Sequence, residues 1–356
     1  MFYYQLVKNL LIITQKVDES DDLLGFFVDW VKEFSKRFDK VFVITLAKGE
    51  YKLPANVFIY SLGKEKKSNK LFRVIKFYLY SLKLIPQSKG VFCHMSPIFA
   101  VATWPIVSVF GKKIILWYLH RSVTLRLKLA EKLCYKIVTA AKESLNLKSK
   151  KIVEAGHGIN LEKFRTERIW PEKKENFRIL SVGRISRIKD YETLIKAAAI
   201  LRDNGLKFKF KIIGRPVMPY DFDYFEQLKK MVTDLKLEDF VEFIGFIPYS
   251  QIANYYKESD IFINFAPSGG IDKVVLEAMA SGSLVLVSND AFKKYLGGYD
   301  LFFKHGEAGD LAEKIIKLGK MSIQEIERVS SFLVQSVSGH HNLTNTVNAI
   351  SYLFNQ

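Results

Sequence analysis

The sequence predicts an α/β protein built from two doubly wound domains, and three observations lead to this prediction. Short β-branched and aromatic runs recur along the 356 residues, each followed by a turn signal and then a helical pattern. These runs are nearly continuous in apolar residues, which is typical of strands buried on both faces of a parallel sheet. The length suits two ordinary domains, and the polar segment Thr166–Asn176 interrupts the series near its middle.

The predicted strands form two series, one on each side of that interruption, which is the expected linker. In the first half they are Asn9–Thr14, Val41–Thr45, Val57–Tyr60, Gly90–His94, Lys113–Tyr118, Lys136–Ala140 and Lys151–Ala155. In the second half they are Arg178–Val182, Lys207–Ile213, Val241–Ile244, Ile261–Phe265, Leu284–Val287 and Leu301–Phe303. Because strand and helix alternate throughout, each series is expected to form a sheet covered by helices.

The positive charge of the chain is concentrated in its first half. The whole chain carries 54 Lys+Arg against 37 Asp+Glu, a net charge of +17. Residues 1–165 hold 29 Lys+Arg and 13 Asp+Glu, a net +16, so the remaining 25 and 24 leave only +1 for the second half. A basic half predicts an anionic partner, which would be a membrane surface, nucleic acid or an acidic ligand. The alternative, a generally basic composition, would spread the charge evenly.

Composition and motifs exclude several classes of protein. The apolar fraction of 49% excludes global disorder, and two cysteines exclude a disulfide framework and a Cys-rich zinc module. The apolar run after Lys8 is too short for a signal peptide. The charge-free stretch Val91–Gly111 has transmembrane length, but its two prolines and several polar residues favour a buried strand, a turn and a helix. Neither half contains G-x-G-x-x-G or a Walker motif, which disfavours a nicotinamide dehydrogenase and a P-loop ATPase.

A basic loop after the first strand of the second half is a candidate phosphate site. Ligands of parallel sheets bind at the carboxyl ends of the strands. The strand Arg178–Val182 is followed by Gly183 and Arg184, and Lys189 comes just before the predicted helix Tyr191–Asn204. Fixed positive charge next to a helix N-terminus suits a diphosphate. An ordinary basic surface loop is the alternative.

Two further strand ends and a glycine-rich loop follow. Gly214 and Gly245 each end a predicted strand, and alone each indicates only a strand–turn, although Gly245 would let a planar base approach the backbone. After residue 265 a glycine-rich loop leads to a helix that begins near Asp272, where N–H groups could receive a phosphate or a sugar hydroxyl. Glu277, within this helix, could accept hydrogen bonds from a ribose diol. A solvated or salt-bridged glutamate is the alternative.

In order and spacing these segments resemble the family-four glycosyltransferases (group 1 glycosyltransferases) of the GT-B fold. The matching segments are Gly183-Arg184 with Lys189, Val241–Gly245, Ser259–Ile263, Leu276–Gly282, and Ala155–Asn160 with Phe164. The resemblance covers most of the chain and is most specific from about 152 to 290. It implies two Rossmann-like domains that face each other across a cleft. The implied acceptor-binding domain is 1–165 plus 336–356, and the implied nucleotide-sugar-binding domain is 166–335.

The resemblance also implies roles for residues of the second domain. Arg184 and Lys189 would hold the diphosphate, Glu277 the ribose, and the loop at Gly245 and Phe246 the base. The implied donor-binding residues are Gly183, Arg184, Lys189, Gly214, Gly245, Phe246, Gly270, Asp272, Lys273 and Glu277. Transfer would retain the anomeric configuration, with Arg184 and Lys189 stabilising the charge that develops on the leaving group.

No cofactor and no divalent metal are expected beyond the nucleotide-sugar co-substrate. Asp221 and Asp223 have the spacing of a metal motif, but they lie between a strand and a helix, and we interpret them as helix capping. One departure from the family concerns Gly269, which stands where the family often has a Glu that contacts the donor sugar. The identity of the donor is therefore left open.

On the acceptor side, three positions of the first half are candidates, two of them through the resemblance. His120 follows the predicted strand Lys113–Tyr118, at the place of a functional family His, and is the candidate acceptor-binding and catalytic residue. His94 is a second candidate, and Gly25 lies where the family has a glycine-containing loop. For each histidine, a capping or core role is the alternative.

The excess of basic residues is concentrated on one predicted helix, at Lys66, Lys67, Lys70 and Arg73. The same predicted helix also includes Lys64, Lys76 and Lys83. The same helix carries an apolar stripe, formed by Leu71, Val74, Ile75, Tyr78, Leu79 and Leu82. This combination suits the headgroup region of an anionic bilayer. An ordinary solvated helix packed on its sheet is the alternative.

The predicted function is a retaining glycosyltransferase, peripheral on the inner face of the cytoplasmic membrane. It would move a hexose-type sugar from a nucleotide-diphosphate donor onto a lipid-linked or membrane-associated saccharide in surface polysaccharide or glycolipid biosynthesis. A non-catalytic or epimerase-type sugar-nucleotide-binding protein of the same fold is the alternative. A basic nucleic-acid-binding protein is a further one, although no nucleic-acid motif supports it.

Overall fold

The computed structural model describes residues 8–171, 176–266 and 269–356. The chain divides into two compact units. Unit 1 contains the residues up to 160 together with 248–250 and 341–356, and unit 2 contains 161–247 and 251–340. The domain boundaries predicted from the sequence are 165/166 and 335/336. Each lies within five residues of a position where the chain passes from one unit to the other, at 160/161 and 340/341.

Each unit is built on one parallel sheet, as predicted from the buried apolar runs. The strands are β1 Leu10–Val17, β2 Val41–Lys48, β3 Val57–Ser61, β4 Gly90–His94, β5 Lys113–Trp117, β6 Lys136–Thr139, β7 Ile152–Glu154, β8 Phe177–Val182, β9 Phe208–Ile213, β10 Val241–Gly245, β11 Ile261–Asn264 and β12 Leu284–Val287. Within the described residues, the sheet of unit 1 has the order β3-β2-β1-β4-β5-β6-β7 and that of unit 2 the order β10-β9-β8-β11-β12. The final predicted strand, Leu301–Phe303, contributes only an isolated bridge from Phe302 to Val287.

Helices connect most successive strands, as is usual between parallel strands. They are α1 Phe27–Ser35, α2 Lys70–Leu84, α3 Pro97–Val109, α4 Leu125–Leu133, α5 Leu161–Phe164, α6 Tyr191–Asp203, α7 Pro219–Asp234, α8 Ile252–Glu258, α9 Lys273–Ala280, α10 Ala308–Gly319, α11 Ile323–His340 and α12 Leu343–Leu353. Among the described residues, β2 and β3, and likewise β6 and β7, are joined without an α-helix. The charge-free stretch Val91–Gly111 forms β4 and α3, as expected. Among residues 8–171, 176–266 and 269–356, no helix combines the length and the apolar character that crossing a bilayer would need.

Unit 1 has a hydrophobic core on each face of its sheet. On one face α2, α3 and α4 contribute buried side chains that include Phe77, Phe99 and Leu127. On the other face α1 and α12 contribute Trp30 and Ile350, among others. The unit is therefore doubly wound, with helices covering both faces of one sheet.

The C-terminal residues return to unit 1 and pair with its last loop. Ile159 forms a parallel bridge with Asn342, and the Leu343 N–H donates to the Ile159 carbonyl at 2.9 Å. Next to this bridge the Trp30 indole donates to the Gly158 carbonyl at 3.2 Å. Gly158 has φ +66°, and a Cβ there would lie 2.4 Å from the Trp30 ring. Only glycine therefore fits this close approach.

A buried carboxylate connects the start of unit 2 to its sheet. Asp260 is 1% exposed, and its Oδ2 accepts the backbone N–H of Arg178 at 2.8 Å. Its Oδ1 lies 3.0 Å from Nη2 of Arg178 and 3.8 Å from Nη1 of Arg168. Burial lowers the pKa of Arg168 to about 10. This arginine therefore depends on Asp260 for charge compensation.

We expect Asp260→Asn to lower the free energy of unfolding by about 3 kcal/mol, because it leaves a buried guanidinium without its counter-ion. Urea denaturation followed by circular dichroism measures the loss. The matched control is Asp300→Asn, since Asp300 also pairs with two cations, Lys314 and Lys317, but is exposed. Its expected loss is below about 1 kcal/mol. Equal losses in the two variants would contradict the structural role of Asp260.

Candidate active site

Three predicted glycines lie side by side at the carboxyl edge of the sheet in unit 2. The Gly183 N–H donates to the Ile213 carbonyl and the Gly214 N–H to the Gly245 carbonyl, both at 2.9 Å. Gly214 has φ +146°, and a Cβ there would lie 1.8 Å from the Gly183 carbonyl oxygen. The ends of β8, β9 and β10 therefore pack backbone against backbone, which requires glycine at position 214.

The loop after β8 is held at both of its ends. The Ile185 N–H donates to the Arg215 carbonyl at 3.1 Å, and the Tyr191 hydroxyl donates to the Gly183 carbonyl at 3.3 Å. The Tyr191 N–H in turn donates to the Tyr224 hydroxyl at 3.1 Å. Burial raises the pKa of Tyr191, so its phenol keeps the donated proton at physiological pH. The loop backbone is thus positioned by the two strands and by α6.

The two predicted phosphate ligands of this loop differ in their surroundings. The Arg184 side chain is exposed, and no partner for its guanidinium is found in the part of the chain that the structure describes. Lys189 is only 22% exposed, and its Nζ lies 3.0 Å from Oδ2 of Asp272. The same carboxylate oxygen accepts from Nδ2 of Asn264 at 3.0 Å. The structure therefore brings Lys189 and Asp272, both predicted donor ligands, into one hydrogen-bonded group.

Asn264 is a residue of this group that the sequence analysis missed. It is the last residue of β11 and is 2% exposed. The available signal was a polar residue that ends the apolar run Ile261–Asn264, at the carboxyl end of a buried strand. Buried amides are nearly always hydrogen-bonded, so a partner for Asn264 was to be expected.

Glu277 lies on α9, with one carboxylate oxygen hydrogen-bonded and the other only ion-paired. It is 3% exposed. Its Oε1 is 3.1 Å from Nζ of Lys273, and its Oε2 accepts from the Tyr256 hydroxyl at 3.1 Å. This is the salt-bridged arrangement considered from the sequence. Contact between Glu277 and a ribose stays a prediction, and Tyr256 is a second residue that the sequence analysis did not single out.

The remaining predicted donor residues line the loops beside this group. Gly269 has φ +135°, and the Gly270 carbonyl accepts from Nδ2 of Asn289 at 3.2 Å. The Arg215 guanidinium lies 4.9 Å from the centre of the Phe246 ring. Pro267 and Ser268, within the predicted glycine-rich segment, lie outside the described residues.

Comparison with known proteins identifies this part of the chain. Residues 162–329 match the family model described as glycosyl transferases group 1. Residues 162–329 therefore resemble the group 1 glycosyltransferases, and this match covers slightly less than half of the chain. The chain is 34% identical over 161 residues to the amylovoran biosynthesis glycosyltransferase AmsK of Erwinia amylovora. It is 29% identical over 181 residues to the alpha-monoglucosyldiacylglycerol synthase of Streptococcus pneumoniae.

These sequence matches cover parts of each protein, whereas the similarity of fold extends over nearly all of the chain. The two matched segments span 44% and 46% of this chain, and only 36% and 40% of the relatives. The crystal structure of Anabaena HepE in complex with UDP-glucose superposes with a TM-score of 0.75 and covers 97% of this chain and 99% of HepE, at 16% identity. The predicted GT-B fold is thereby confirmed.

Within the matched residues 162–329, the aspartate pair that resembles a metal motif lies near the start of α7. Asp221 is buried, and its Oδ2 accepts the Met218 N–H at 3.0 Å. Asp223 is exposed two residues further along the same helix. Asp221 thus satisfies an N–H group that the helix itself leaves free, which is a capping role.

The candidate acceptor residues all lie in unit 1. His94 ends β4 and is fully buried, with Nδ1 3.1 Å from the Thr14 hydroxyl oxygen and its ring stacked on Phe27 at 3.7 Å. His120 is exposed in the loop after β5. Gly25 lies in the turn before α1, where a Cβ would be 2.8 Å from the Asp21 carbonyl oxygen. Their contact with an acceptor stays a prediction.

The basic segment of unit 1 differs from the prediction in one respect. The predicted single helix from Lys64 to Lys83 was wrong, because α2 begins only at Lys70. Asn69 caps it by accepting the Leu71 N–H at 2.9 Å. Lys66 and Lys67 precede the cap, in a separate turn. The four predicted membrane-facing cations therefore straddle the start of the helix.

The apolar stripe of α2 faces solvent. The buried residues of the helix are Phe77, Ser81 and Leu84, which lie outside the stripe. The exposed apolar residues of the helix are Leu71, Phe72, Val74, Ile75, Tyr78, Leu79 and Leu82, with exposed fractions of 38–67%. Helix α2 thus packs on the sheet through a narrow face and presents apolar and basic side chains together on the outside. The alternative of a solvated helix packed on its sheet stays open, because α2 does pack on the sheet, through Phe77, Ser81 and Leu84.

Proposed function

We propose that this chain transfers a sugar from a nucleoside-diphosphate sugar to an acceptor held at an anionic membrane. The observation that carries the donor part is the loop from Gly183 to Lys189, which lies at the carboxyl edge of the sheet in a group 1 glycosyltransferase domain. It offers an open guanidinium at Arg184 and an ammonium group at Lys189. Two fixed cations beside tightly packed glycines suit a diphosphate, since its oxygens can approach the backbone closely.

In the proposed reaction the anomeric configuration is retained. The bond from the anomeric carbon to the phosphate oxygen breaks, and the acceptor oxygen bonds to the same face of that carbon. The acceptor proton passes to the departing diphosphate. Arg184 and Lys189 lower the barrier by stabilising the negative charge that develops on this leaving group. These side chains neutralise the diphosphate, so the proposal includes no divalent metal and no cofactor.

On the acceptor side, we propose His120 as the group that positions the reacting hydroxyl. It is exposed after β5, and an imidazole can either donate to or accept from a sugar hydroxyl. One relative is named a synthase of alpha-monoglucosyldiacylglycerol, and another a glycosyltransferase of amylovoran biosynthesis. Both a lipid and a saccharide are therefore suitable acceptors to test.

The donor is tested by thermal denaturation with a panel of nucleoside diphosphates and their sugars. Binding to the native state raises the midpoint by an amount that grows with ligand concentration and affinity. The sugar nucleotide that gives the largest shift among the sugar nucleotides tested is the candidate donor. UDP-glucose is the first probe, because HepE of the same fold binds it. The stabilising sugar nucleotide is then incubated with lipid extracts, with and without EDTA. Absence of any stabilisation would overturn the donor proposal, and stabilisation without transfer would favour a non-catalytic sugar-nucleotide-binding protein.

We further propose that the chain is peripheral on the inner face of the cytoplasmic membrane and binds it through the start of α2. The cations Lys66, Lys67, Lys70 and Arg73 adjoin the exposed apolar residues of the helix. Cations attract anionic lipids, while apolar side chains enter the boundary between headgroups and acyl chains. A nucleic-acid surface would not need the apolar residues, which is why the membrane is the favoured partner.

We expect reversal of these four cations to glutamate to abolish sedimentation with vesicles rich in phosphatidylglycerol, since each cation near such a surface contributes about 1 kcal/mol. The matched control reverses Lys207, Lys209, Lys229 and Lys230, four exposed cations of unit 2. This control should bind vesicles as the wild type does. Unchanged binding by the first variant would refute the membrane surface, and salt-dependent binding to oligonucleotides at submicromolar strength would favour nucleic acid instead.

A further inference from the structure

Asp272 directs its carboxylate away from the helix that it precedes. It is the N-cap residue of α9, with extended backbone angles of φ −73° and ψ 124°, but its side chain makes no capping hydrogen bond. An aspartate at this position usually accepts an N–H of the first helical turn. Here Oδ2 instead accepts from Lys189 and Asn264, which lie on two other elements. The side chain therefore serves the loop after β8 rather than α9.

The position of Asp272 makes it a competitor for the cation that would bind the diphosphate. Its Oδ2 lies 3.0 Å from Nζ of Lys189, the distance that a phosphate oxygen would occupy in a charge-assisted hydrogen bond. Lys189 therefore has a resident anion before any donor arrives. Arg184 has no such partner among the described residues, so the two cations are not equivalent toward a diphosphate.

The exposure of the pair allows exchange of one anion for another. The Lys189 and Asp272 side chains are 22% and 32% exposed, so an incoming phosphate can reach the ammonium group without unfolding of the loop. Asn264 is buried beside the pair and holds the carboxylate by a second hydrogen bond. The carboxylate can thus stay in place while the lysine changes partner. Without Asn264, the Asp272 carboxylate would be left uncompensated when Lys189 turns to the phosphate, which is costly for a partly buried charge.

Resting on the proposed donor site, we infer that Asp272 is a counter-ion that holds Lys189 in position and competes with the diphosphate for it. Binding of the donor exchanges the carboxylate for phosphate oxygens at Nζ of Lys189. After transfer, the Asp272 carboxylate pairs with Lys189 again and thereby favours dissociation of the nucleoside diphosphate. Asp272 is accordingly a positioning residue that sets the affinity of the product through Lys189, and it does not act on the sugar itself.

The test measures binding of inorganic pyrophosphate and of UDP by isothermal titration calorimetry. Pyrophosphate carries the diphosphate without a base, so its binding does not depend on the donor's identity. Asp272→Asn keeps an oxygen that can accept from Lys189 and Asn264 but removes the negative charge. We expect it to tighten binding of both probes about three- to fivefold, because a partly exposed ion pair contributes modestly. Product inhibition of transfer should become stronger by a similar factor.

A double-mutant cycle with Lys189→Met separates a specific effect from a general change of charge. In the Lys189→Met background, Asp272→Asn should no longer tighten pyrophosphate binding. Asp300→Asn, which removes a paired carboxylate elsewhere in unit 2, is the control and should leave binding unchanged. Asp272→Ser is a second variant in case the asparagine destabilises α9, and it too should tighten binding.

The outcomes distinguish this inference from the proposed function. If the wild type binds neither pyrophosphate nor any nucleoside diphosphate, the donor site itself is refuted and this inference with it. If the wild type binds and the Asp272 variants bind equally or more weakly, only the counter-ion inference is overturned. Tightening that persists in the Lys189→Met background would also overturn it, because Asp272 would then act independently of the lysine.

Discussion

Replacement of Arg184 or Lys189 by alanine is expected to slow sugar transfer by about 100- to 1000-fold while the fold survives. That factor is typical for loss of one group that stabilises charge in a transition state. Arg184 is exposed, and Lys189 is partly exposed with a partner, Asp272, that retains its bond to Asn264. Neither truncation therefore leaves a deeply buried group unpaired. Steady-state turnover with the identified donor gives the effect, and circular dichroism verifies the fold.

The matched control for this prediction lies in the same loop. Arg187 is two residues from Lys189, but its guanidinium donates to Gln227 and lies over the Tyr224 ring. Arg187→Ala removes an equal charge at nearly the same place and should keep most of the activity. If all three variants lose activity equally, the effect belongs to the general potential of the loop. Near-normal turnover of the Arg184 and Lys189 variants would refute the assignment of the diphosphate site.

Gly214→Ala is expected to abolish most donor binding and transfer, although it adds only one methyl group. The new Cβ would lie 1.8 Å from the Gly183 carbonyl oxygen, an overlap that only movement of the backbone can relieve. Movement of Gly183 displaces the adjacent Arg184. We expect at least a 100-fold fall in kcat/KM, since displacement of a reacting group by about 1 Å can cost that factor.

Gly205→Ala separates this close approach from backbone strain. Gly205 also has positive φ, at +71°, but a Cβ there meets nothing within 4 Å. Both substitutions should lower the thermal midpoint, because alanine is disfavoured at positive φ. Only Gly214→Ala should lose activity beyond the loss of folded protein. Equal activity in the two variants at a temperature where both are folded would contradict the packing of β8 against β9.

Much of the carboxyl edge of the sheet in unit 2, where we propose that the donor binds, was predictable because its sequence signals are local. Apolar runs that end in Gly183, Gly214 and Gly245 indicate parallel strands whose carboxyl ends share one edge. The partners of Lys189 and Glu277 were not predictable in the same way. Whether Asn264 reaches Asp272, or Tyr256 reaches Glu277, depends on how separate loops and helices meet in three dimensions. The spacing of residue types along the sequence does not predict these contacts.

Helix α2 illustrates a second limit of sequence reasoning. Periodicity correctly indicates an apolar stripe, but not which way the stripe faces. A stripe of that kind usually packs on the sheet, whereas here Phe77, Ser81 and Leu84 make the packed face. The start of the helix was also missed, since Lys67 adopts positive φ and Asn69 begins a new turn. A glycine in the sequence often indicates positive φ, whereas nothing in the sequence indicates that a lysine adopts it.

The return of residues 341–356 to unit 1 has a consequence for the order in which the protein is made. Helix α12 supplies Val347, Ile350 and Leu353 to the core that surrounds Trp30, yet the ribosome produces this helix after the whole of unit 2. Unit 1 therefore leaves the ribosome with one face of its sheet covered only in part, by α1, and this core is completed when α12 is made. Most of unit 2 is complete earlier, although it comes second in the sequence. The usual rule that the N-terminal domain folds first is thus reversed for the final packing step.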